Sequence, residues 1–132
     1  MSPADTFTAI IFVTRKPGIS PAEFQDHWDN KHVPLLQRLT GPRFPLSHTR
    51  HYLKRDATPP AYAITALVGN STDFTYDGFA VITFDSEAAF QEFLPIMYHP
   101  EVIEDEKKFV DLTQSKAVAL SNIQTTVSER IL

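Results

Sequence analysis

The chain has 132 residues, 42% of them hydrophobic and 21% charged, which is the size and composition of one soluble globular domain. Its net charge is -4 and its basic residues are scattered, which argues against nucleic acid or anionic membranes as partners. The absence of cysteine excludes disulfides, thiolate nucleophiles and thiolate metal ligands.

The N-terminal residues 1–8 contain no basic segment followed by an apolar run. No apolar run anywhere approaches the ~20 residues of a membrane-spanning helix. The sequence therefore predicts a cytoplasmic protein with neither a signal peptide nor a spanning helix.

Two elements are predicted at the start of the chain. Residues 6–15 combine β-branched and aromatic side chains on both parities, which is typical of a strand covered on both faces. Ser20, Pro21 and Glu23 then form the pattern of a helix N-terminus, with Ser20 as the cap and Glu23 completing a capping box.

This first helix is expected to carry a histidine in its apolar face. At about 100° per residue, His32 falls on the same side as Phe24, Trp28 and Leu36. Pro34 lacks a backbone donor and should kink or split the helix just after His32.

The remaining pattern predicts three strands and two helical segments. Residues 47–55 alternate as a strand with unequal faces, while residues 62–68 either extend that strand or form a short separate one. The other predicted elements are a strand at 79–84, a helix capped by Ser86, a third helical segment at 100–110 and a last strand at 116–121.

The order strand, helix, strand, strand, helix, strand predicts an α+β protein with a ferredoxin-like βαββαβ protomer. Residues 1–132 are read as a single domain, with a core at 6–121 and a C-terminal arm at 122–132. Helices can cover only one face of a four-stranded sheet, so a second copy of the chain is expected to cover the other, as a homodimer.

Candidate catalytic residues are His32, His51 and Tyr52. Burial among apolar side chains should lower the pKa of His32 and make it a neutral base, unless a carboxylate or phenol offsets the effect. The alternative is a core histidine bonded to a backbone carbonyl. His51 is assigned to the inward face of the adjoining strand, opposite His32, and Tyr52 is a possible phenol donor.

Most phenylalanines are predicted to build the core, and some to floor a pocket for a flat aromatic ligand. The predicted substrate-binding residues are Phe24, Trp28, Leu36, His48, Tyr98 and His99. His48 is expected at the rim or the dimer face, and His99 has the alternative of simply capping the third helical segment. Asp105, Glu106 and Asp111 are read as a solvated acidic face.

No metal is predicted. His27 and His32 are five residues apart, not the four that would place two ligands on one helical face. A site built from His32, His48, His51 and His99 is a weaker alternative, since no carboxylate motif accompanies them.

Four segments resemble the EthD domain of the dimeric α+β barrel superfamily, and most closely its fungal branch found with aromatic polyketide pathways. They are residues 15–36 (RKPGISPAEFQDHWDNKHVPLL), 45–52 (PLSHTRHY), 76–84 (YDGFAVITF) and 100–111 (PEVIEDEKKFVD). The resemblance implies a barrel formed by two sheets, no metal or organic cofactor, and a pocket in which His32 and His51 match the family's histidine positions.

Members of that branch are described as decarboxylases or dehydratases of anthrone-type intermediates. The resemblance therefore implies a cofactor-independent lyase that acts on an aromatic polyketide by histidine acid/base catalysis. The alternatives are a polyketide isomerase or cyclase, a cofactor-free oxygenase, and a non-catalytic binder of an aromatic metabolite or haem with His32 or His51 as axial ligand.

Overall fold

The computed structural model describes residues 6–131, in which four antiparallel strands form one sheet in the order β2-β3-β1-β4. The strands are β1 (Phe7–Val13), β2 (Ser47–Tyr52), β3 (Gly78–Phe84) and β4 (Lys116–Leu120). The predicted ferredoxin-like α+β fold is confirmed. The described residues exclude residues 1–5, which belong to the N-terminal segment predicted to lack a signal peptide. They also exclude the last residue of the predicted C-terminal arm.

Four α-helices pack on one face of the sheet: α1 (Pro21–His27), α2 (Val33–Thr40), α3 (Glu87–Phe93) and α4 (Pro100–Glu106). Short 3₁₀ turns are formed by Gly41–Arg43, Ser71–Asp73, Leu94–Tyr98, Leu112–Gln114 and Glu129–Ile131. None of the helices within residues 6–131 is long and apolar enough to cross a bilayer.

The break predicted after His32 is confirmed. Trp28–His32 form a π-helical turn, and α2 begins at the next residue. Pro34 cannot donate a backbone hydrogen bond to the preceding turn, so the regular helical ladder is interrupted at this point.

Both predicted caps are present. Ser20 Oγ accepts from the backbone N–H of Glu23 at 3.1 Å, and the Glu23 carboxylate accepts from the N–H of Ser20 at 2.9 Å. Ser86 Oγ accepts from the N–H of Ala89 at 3.1 Å. Each cap satisfies backbone donors that the first helical turn leaves unpaired.

Several predicted boundaries are wrong. The strands predicted at 6–15 and 47–55 span only Phe7–Val13 and Ser47–Tyr52. The third helical segment ends at Glu106 rather than at residue 110, because the chain turns back toward β1 and Val110 bridges Arg15. Residues 62–68 form no strand, and only an isolated bridge joins Ile64 to Arg55. Tyr62 has a φ of 45°, a left-handed conformation that an extended strand does not contain.

The two faces of the sheet differ. The helix-covered face is formed by alternate residues of β1 and β3, which pair as Ala9 with Ile82 and Ile11 with Ala80. The other face, which we call the open face, is covered by none of the helices described in residues 6–131. It presents Ile10, Phe12, Thr49, His51, Phe79, Val81 and Val118. The core between the helices and the covered face includes Phe24, Trp28, Ile82, Phe84, Val102 and Phe109.

Candidate active site

A buried histidine and carboxylate form the centre of the site. The π-helical turn brings His32 against α4, where its Nδ1 lies 2.8 Å from Oδ2 of Asp105. His32 is only 3% exposed. The Nε2 atom of His27 lies 3.1 Å from each oxygen of the same carboxylate, so Asp105 bridges two histidines.

The Asp105 carboxylate determines which nitrogen of His32 carries the proton. An ionised carboxylate only accepts hydrogen bonds, so Nδ1 of the His32 ring donates and Nε2 keeps its lone pair. Within residues 6–131, Nε2 has no protein partner, and His32 lines a cavity. The ring is therefore oriented as a base toward that cavity.

The electrostatics keep His32 neutral and Asp105 ionised. Burial lowers the pKa of His32, and the hydrogen bond and charge of Asp105 only partly offset this. Burial alone would raise the pKa of Asp105, but hydrogen bonds from His32 and His27 hold it below its ordinary value. His32 thus has a carboxylate partner, Asp105, and this partner does not fully offset the effect of burial on its pKa.

The cavity has a volume of about 590 Å³ and lies between the helices and the covered face of the sheet. Its walls are mostly apolar and include Phe7, Trp28, Leu36, Phe90, Phe93 and Phe109. This size and lining are typical of a site for a small, largely apolar molecule.

Glu106 is a second titratable group of this cavity. Burial, together with the nearby charge of Asp105, raises the pKa of Glu106 to about 7. A carboxyl group with this pKa is partly protonated near neutral pH and can act as a general acid.

His48, rather than His51, shares the cavity with His32. The register of β2 with β3 pairs His48 with Ile82, on the helix-covered face. The His48 ring meets Trp28 edge to face, with 6.2 Å between ring centroids. Burial and the charge of Arg50 lower the pKa of His48 to about 4.

The predicted position of His51 opposite His32 is wrong. His51 pairs with Phe79 on the open face, is exposed, and stacks on the Phe79 ring with 4.7 Å between centroids. The alternation along β2 is as predicted, but the inward face was assigned to the wrong parity. Trp28 packs against His48 and Tyr52, so the alternate side chains of β2 that include these two residues face inward.

Tyr52 and Phe24 also lie away from His32. Both line a second cavity of about 480 Å³. The Tyr52 hydroxyl donates to Oδ1 of Asp29 at 2.5 Å, and burial raises the pKa of this phenol. Phe24 is a fully buried core residue, 1% exposed, which packs on Trp28 and Phe109. The structure therefore does not bring either of them to the histidine cavity.

The other predicted binding residues divide between cavity and surface. Trp28 and Leu36 line the cavity, as does Tyr98, which is 70% exposed at its rim. His99 does not line it. Its Nδ1 accepts from the backbone N–H of Glu101 at 3.1 Å, so it caps α4, the alternative that the sequence analysis left open.

Asp105 and Glu106 are the residues that sequence reasoning missed. Both were assigned to a solvated acidic face, yet one holds His32 and the other lines the cavity. Val102 and Phe109, buried at 0% and 1%, lie seven residues apart, and the two acids fall three and four residues after Val102. That spacing is typical of one helical face, and it could have indicated that the two acids turn inward with Val102 and Phe109.

Among the described residues, no group of three or more His, Asp or Glu side chains is arranged to hold a metal ion. His48, His51 and His99 lie on a cavity wall, on the open face and at a helix cap, so the four-histidine alternative is not assembled within one chain.

The fold and the site together define a small ferredoxin-like α+β domain with a buried His–Asp pair facing an apolar cavity. The family model for the EthD domain matches residues 16–113, and the chain belongs to the EthD domain family. A comparison with curated proteins gave no match.

Solved structures share the fold at low sequence identity. An EthD family protein from Bacillus halodurans C-125 is 14% identical with a TM-score of 0.55, the match covering 89% of this chain and 99% of that one. Hydroxynitrile lyase from Passiflora edulis is 19% identical with a TM-score of 0.52, covering 96% and 100%. SnoaB, a cofactor-independent oxygenase from Streptomyces nogalater, is 15% identical with a TM-score of 0.51, covering 92% and 97%.

Proposed function

We propose that this protein is a cofactor-independent lyase that decarboxylates or dehydrates an aromatic polyketide intermediate of the anthrone carboxylic acid type. The observation that carries the proposal is the His32–Asp105 pair, whose free Nε2 faces a cavity with apolar walls. A neutral base in a site with apolar walls is suited to moving a proton at carbon.

The shape of the cavity supports a polycyclic substrate. Its volume of about 590 Å³ accommodates several fused rings, and aromatic side chains form much of its wall. The polar groups are few, so they would fix the orientation of a ligand whose main contacts are apolar.

Dehydration would use His32 and Glu106, two of the titratable residues that line the cavity. His32 Nε2 removes a proton from the carbon next to a ring carbonyl, and the C–H electron pair becomes a new C–C double bond. The carbonyl oxygen takes the displaced π electrons as an enolate. When the carbonyl reforms, the enolate C–C pair moves to the bond between the α and β carbons. The β-hydroxyl leaves with its own bonding pair and takes a proton from Glu106, which releases water.

Decarboxylation would take its proton from Glu106. The C–C electron pair of the departing carboxylate moves into the substrate's own conjugated carbonyl, so no external electron sink is required. The resulting carbanion takes a proton from the Glu106 carboxylic acid, whose pKa of about 7 keeps part of it protonated near neutral pH. Each positioned proton transfer typically contributes ~10² to 10⁴ in rate.

The direct test is incubation of the protein with a panel of anthrone carboxylic acids, followed by mass analysis for loss of carbon dioxide or of water. We expect at least one acid to be converted. The variant His99→Ala, altered at an exposed cap outside the cavity, should retain the activity. Failure to convert any member of the panel would refute the proposed reaction.

A cofactor-free oxygenase is the second candidate, favoured by the shared fold with SnoaB. In that reaction His32 would deprotonate an anthrone, and the resulting carbanion would react with dioxygen directly. Consumption of dioxygen in step with substrate would identify the oxygenase, and unchanged turnover under anaerobic conditions would identify the lyase.

The protein is further proposed to act as a homodimer that forms a dimeric α+β barrel. The open face carries large apolar side chains such as Phe12 and Phe79, and Val118 is 51% exposed. An uncovered apolar face of this kind is what a second, two-fold related sheet would bury.

A further inference from the structure

A series of hydrogen bonds holds His48 from one side. Asp29 Oδ1 accepts from the Tyr52 hydroxyl at 2.5 Å and from Arg50 Nε at 2.7 Å. Arg50 Nη1 in turn lies 2.9 Å from His48 Nδ1 and donates to the His48 carbonyl at 3.3 Å. The guanidinium is thereby fixed between the Asp29 carboxylate and the His48 ring.

This arrangement determines the tautomer of His48. A guanidinium group has only donors, so Nδ1 of the His48 ring must accept and carries no proton. The proton of the neutral ring is then on Nε2. Nε2 has no protein partner in the described part of the chain, and the ring lines the cavity, so His48 offers an N–H donor there.

The charges around His48 keep the ring neutral. Burial and Arg50 lower its pKa most, His32 lowers it slightly, and only the Asp29 carboxylate and the His48 backbone act in the other direction. The donor is therefore present throughout the neutral pH range.

His32 has the opposite tautomer. Its Nδ1 donates to Asp105, which leaves Nε2 as an acceptor toward the cavity. One cavity thus holds two neutral imidazoles, one that can take a proton and one that can donate a hydrogen bond. A ligand complementary to both offers a proton to His32 and an oxygen acceptor to His48, and an enolisable carbonyl compound does this with an acidic C–H beside its carbonyl oxygen.

We propose that the cavity selects an enolisable carbonyl compound, with its carbonyl oxygen bound to His48 Nε2–H and its acidic C–H directed at His32 Nε2. This inference rests on the proposed function and deepens it by naming the recognised group. In the reaction the proton passes from carbon to His32, and the C–H pair forms the enolate double bond. The carbonyl π pair moves to the oxygen, where His48 stabilises the negative charge by hydrogen bonding without giving up its proton.

In this scheme Arg50 is a positioning residue, because it acts on the substrate only through the His48 ring. The histidine tautomers can be read in the wild-type full chain from long-range proton–nitrogen correlation spectra near neutral pH. We expect His48 to be protonated on Nε2 and His32 on Nδ1. A His48 ring protonated on Nδ1, or on both nitrogens, would overturn the proposal.

The variant Arg50→Met removes the donor to Nδ1 and a nearby positive charge. We expect His48 to populate both neutral tautomers and its pKa to rise. Arg38→Met is the matched control, because Arg38 pairs with Glu101 in a salt bridge whose two side chains are 62% and 52% exposed. It should leave the His48 signals unchanged. Identical His48 spectra in both variants would also count against the proposal.

Ligand recognition is tested with β-tetralone, an enolisable two-ring ketone, against tetralin, the same rings without oxygen. We expect wild type to prefer the ketone roughly tenfold, as one net hydrogen bond would give. His48→Phe keeps a ring but removes the donor, so it should abolish the preference and leave tetralin binding unchanged. A preference that survives His48→Phe would refute the assigned role.

Neither measurement requires turnover, so the two proposals fail separately. An inactive protein that still prefers the ketone through His48 would refute the lyase reaction and leave this inference intact. An active lyase without the His48-dependent preference would refute this inference and leave the lyase proposal intact.

Discussion

The two faces of the sheet give the same side chain opposite properties. His48 and His51 lie on one strand, three residues apart, and the pleat turns them to different sides. His48 is half-buried beside Trp28 and its pKa falls to about 4, whereas His51 is exposed and stacks on Phe79. Strand parity, more than residue type, therefore decides which imidazole can take part in chemistry within the cavity.

The strongest test of this contrast is His32→Ala compared with His51→Ala. Removing the base on the covered side should lower kcat by ~10² to 10⁴ on any acid that wild type dehydrates, while His51→Ala should retain nearly full turnover. Steady-state kinetics with a check of oligomeric state for each variant measures this. Equal losses in the two variants would break the distinction between the faces.

Asp105→Asn should have the next largest effect. The amide cannot supply the negative charge that orients the His32 ring and supports the imidazolium, so we expect kcat/KM to fall by roughly 10². Because the Asp105 carboxylate raises the pKa of His32, its loss should also move the acidic limb of the pH–rate profile to lower pH. A profile that keeps its position would mean that Asp105 is structural only.

The open face is tested by Val118→Asp. A carboxylate placed at this half-exposed position would have to be desolvated in the dimer, so we expect dissociation to a folded monomer. Light scattering after gel filtration measures the mass, and circular dichroism checks the fold. The control is Leu67→Asp, which alters a 94% exposed loop residue outside the sheet and should leave the mass unchanged. A Val118→Asp protein with the wild-type mass would place the interface elsewhere.

The smallest expected effect is one on the pH dependence of stability, in Glu106→Gln, a variant that also removes the proposed general acid. The folded pKa of Glu106 is about 7 against an ordinary 4.5, so the unfolded state releases its proton first as the pH rises. Wild type should therefore lose stability between pH 4.5 and pH 7, by about 1–2 kcal/mol after allowance for solvent screening. The variant should lack this loss in denaturant titrations at several pH values, and an identical slope in both proteins would show that Glu106 is not perturbed.

Much of the fold was predictable because its signals are local. The capping box at Ser20, the break before Pro34 and the cap at Ser86 each depend on residues within one helical turn of one another. The exceptions are the end of α4 and the segment after Arg55. The bridge from Val110 to the distant Arg15 overrides the local pattern in the first, and the left-handed Tyr62 does so in the second.

The site was predictable only in part. Helical periodicity alone placed His32 inside the apolar face, and the structure buries it. The same reasoning applied to residues 102–109 would have turned Asp105 and Glu106 inward. The prediction that Asp105 and Glu106 form a solvated face rested on their charge and not on their position in the helix.

By itself the sequence determined the element order, the caps, the break after His32 and the inward direction of that histidine, because these depend on neighbours along the chain. Only the tertiary structure decided which face of β2 turns inward, since alternation defines two faces but not which one meets Trp28. The pairing of His32 with Asp105 likewise joins residues 73 positions apart, and such a contact exists only once α4 packs against the π-helical turn.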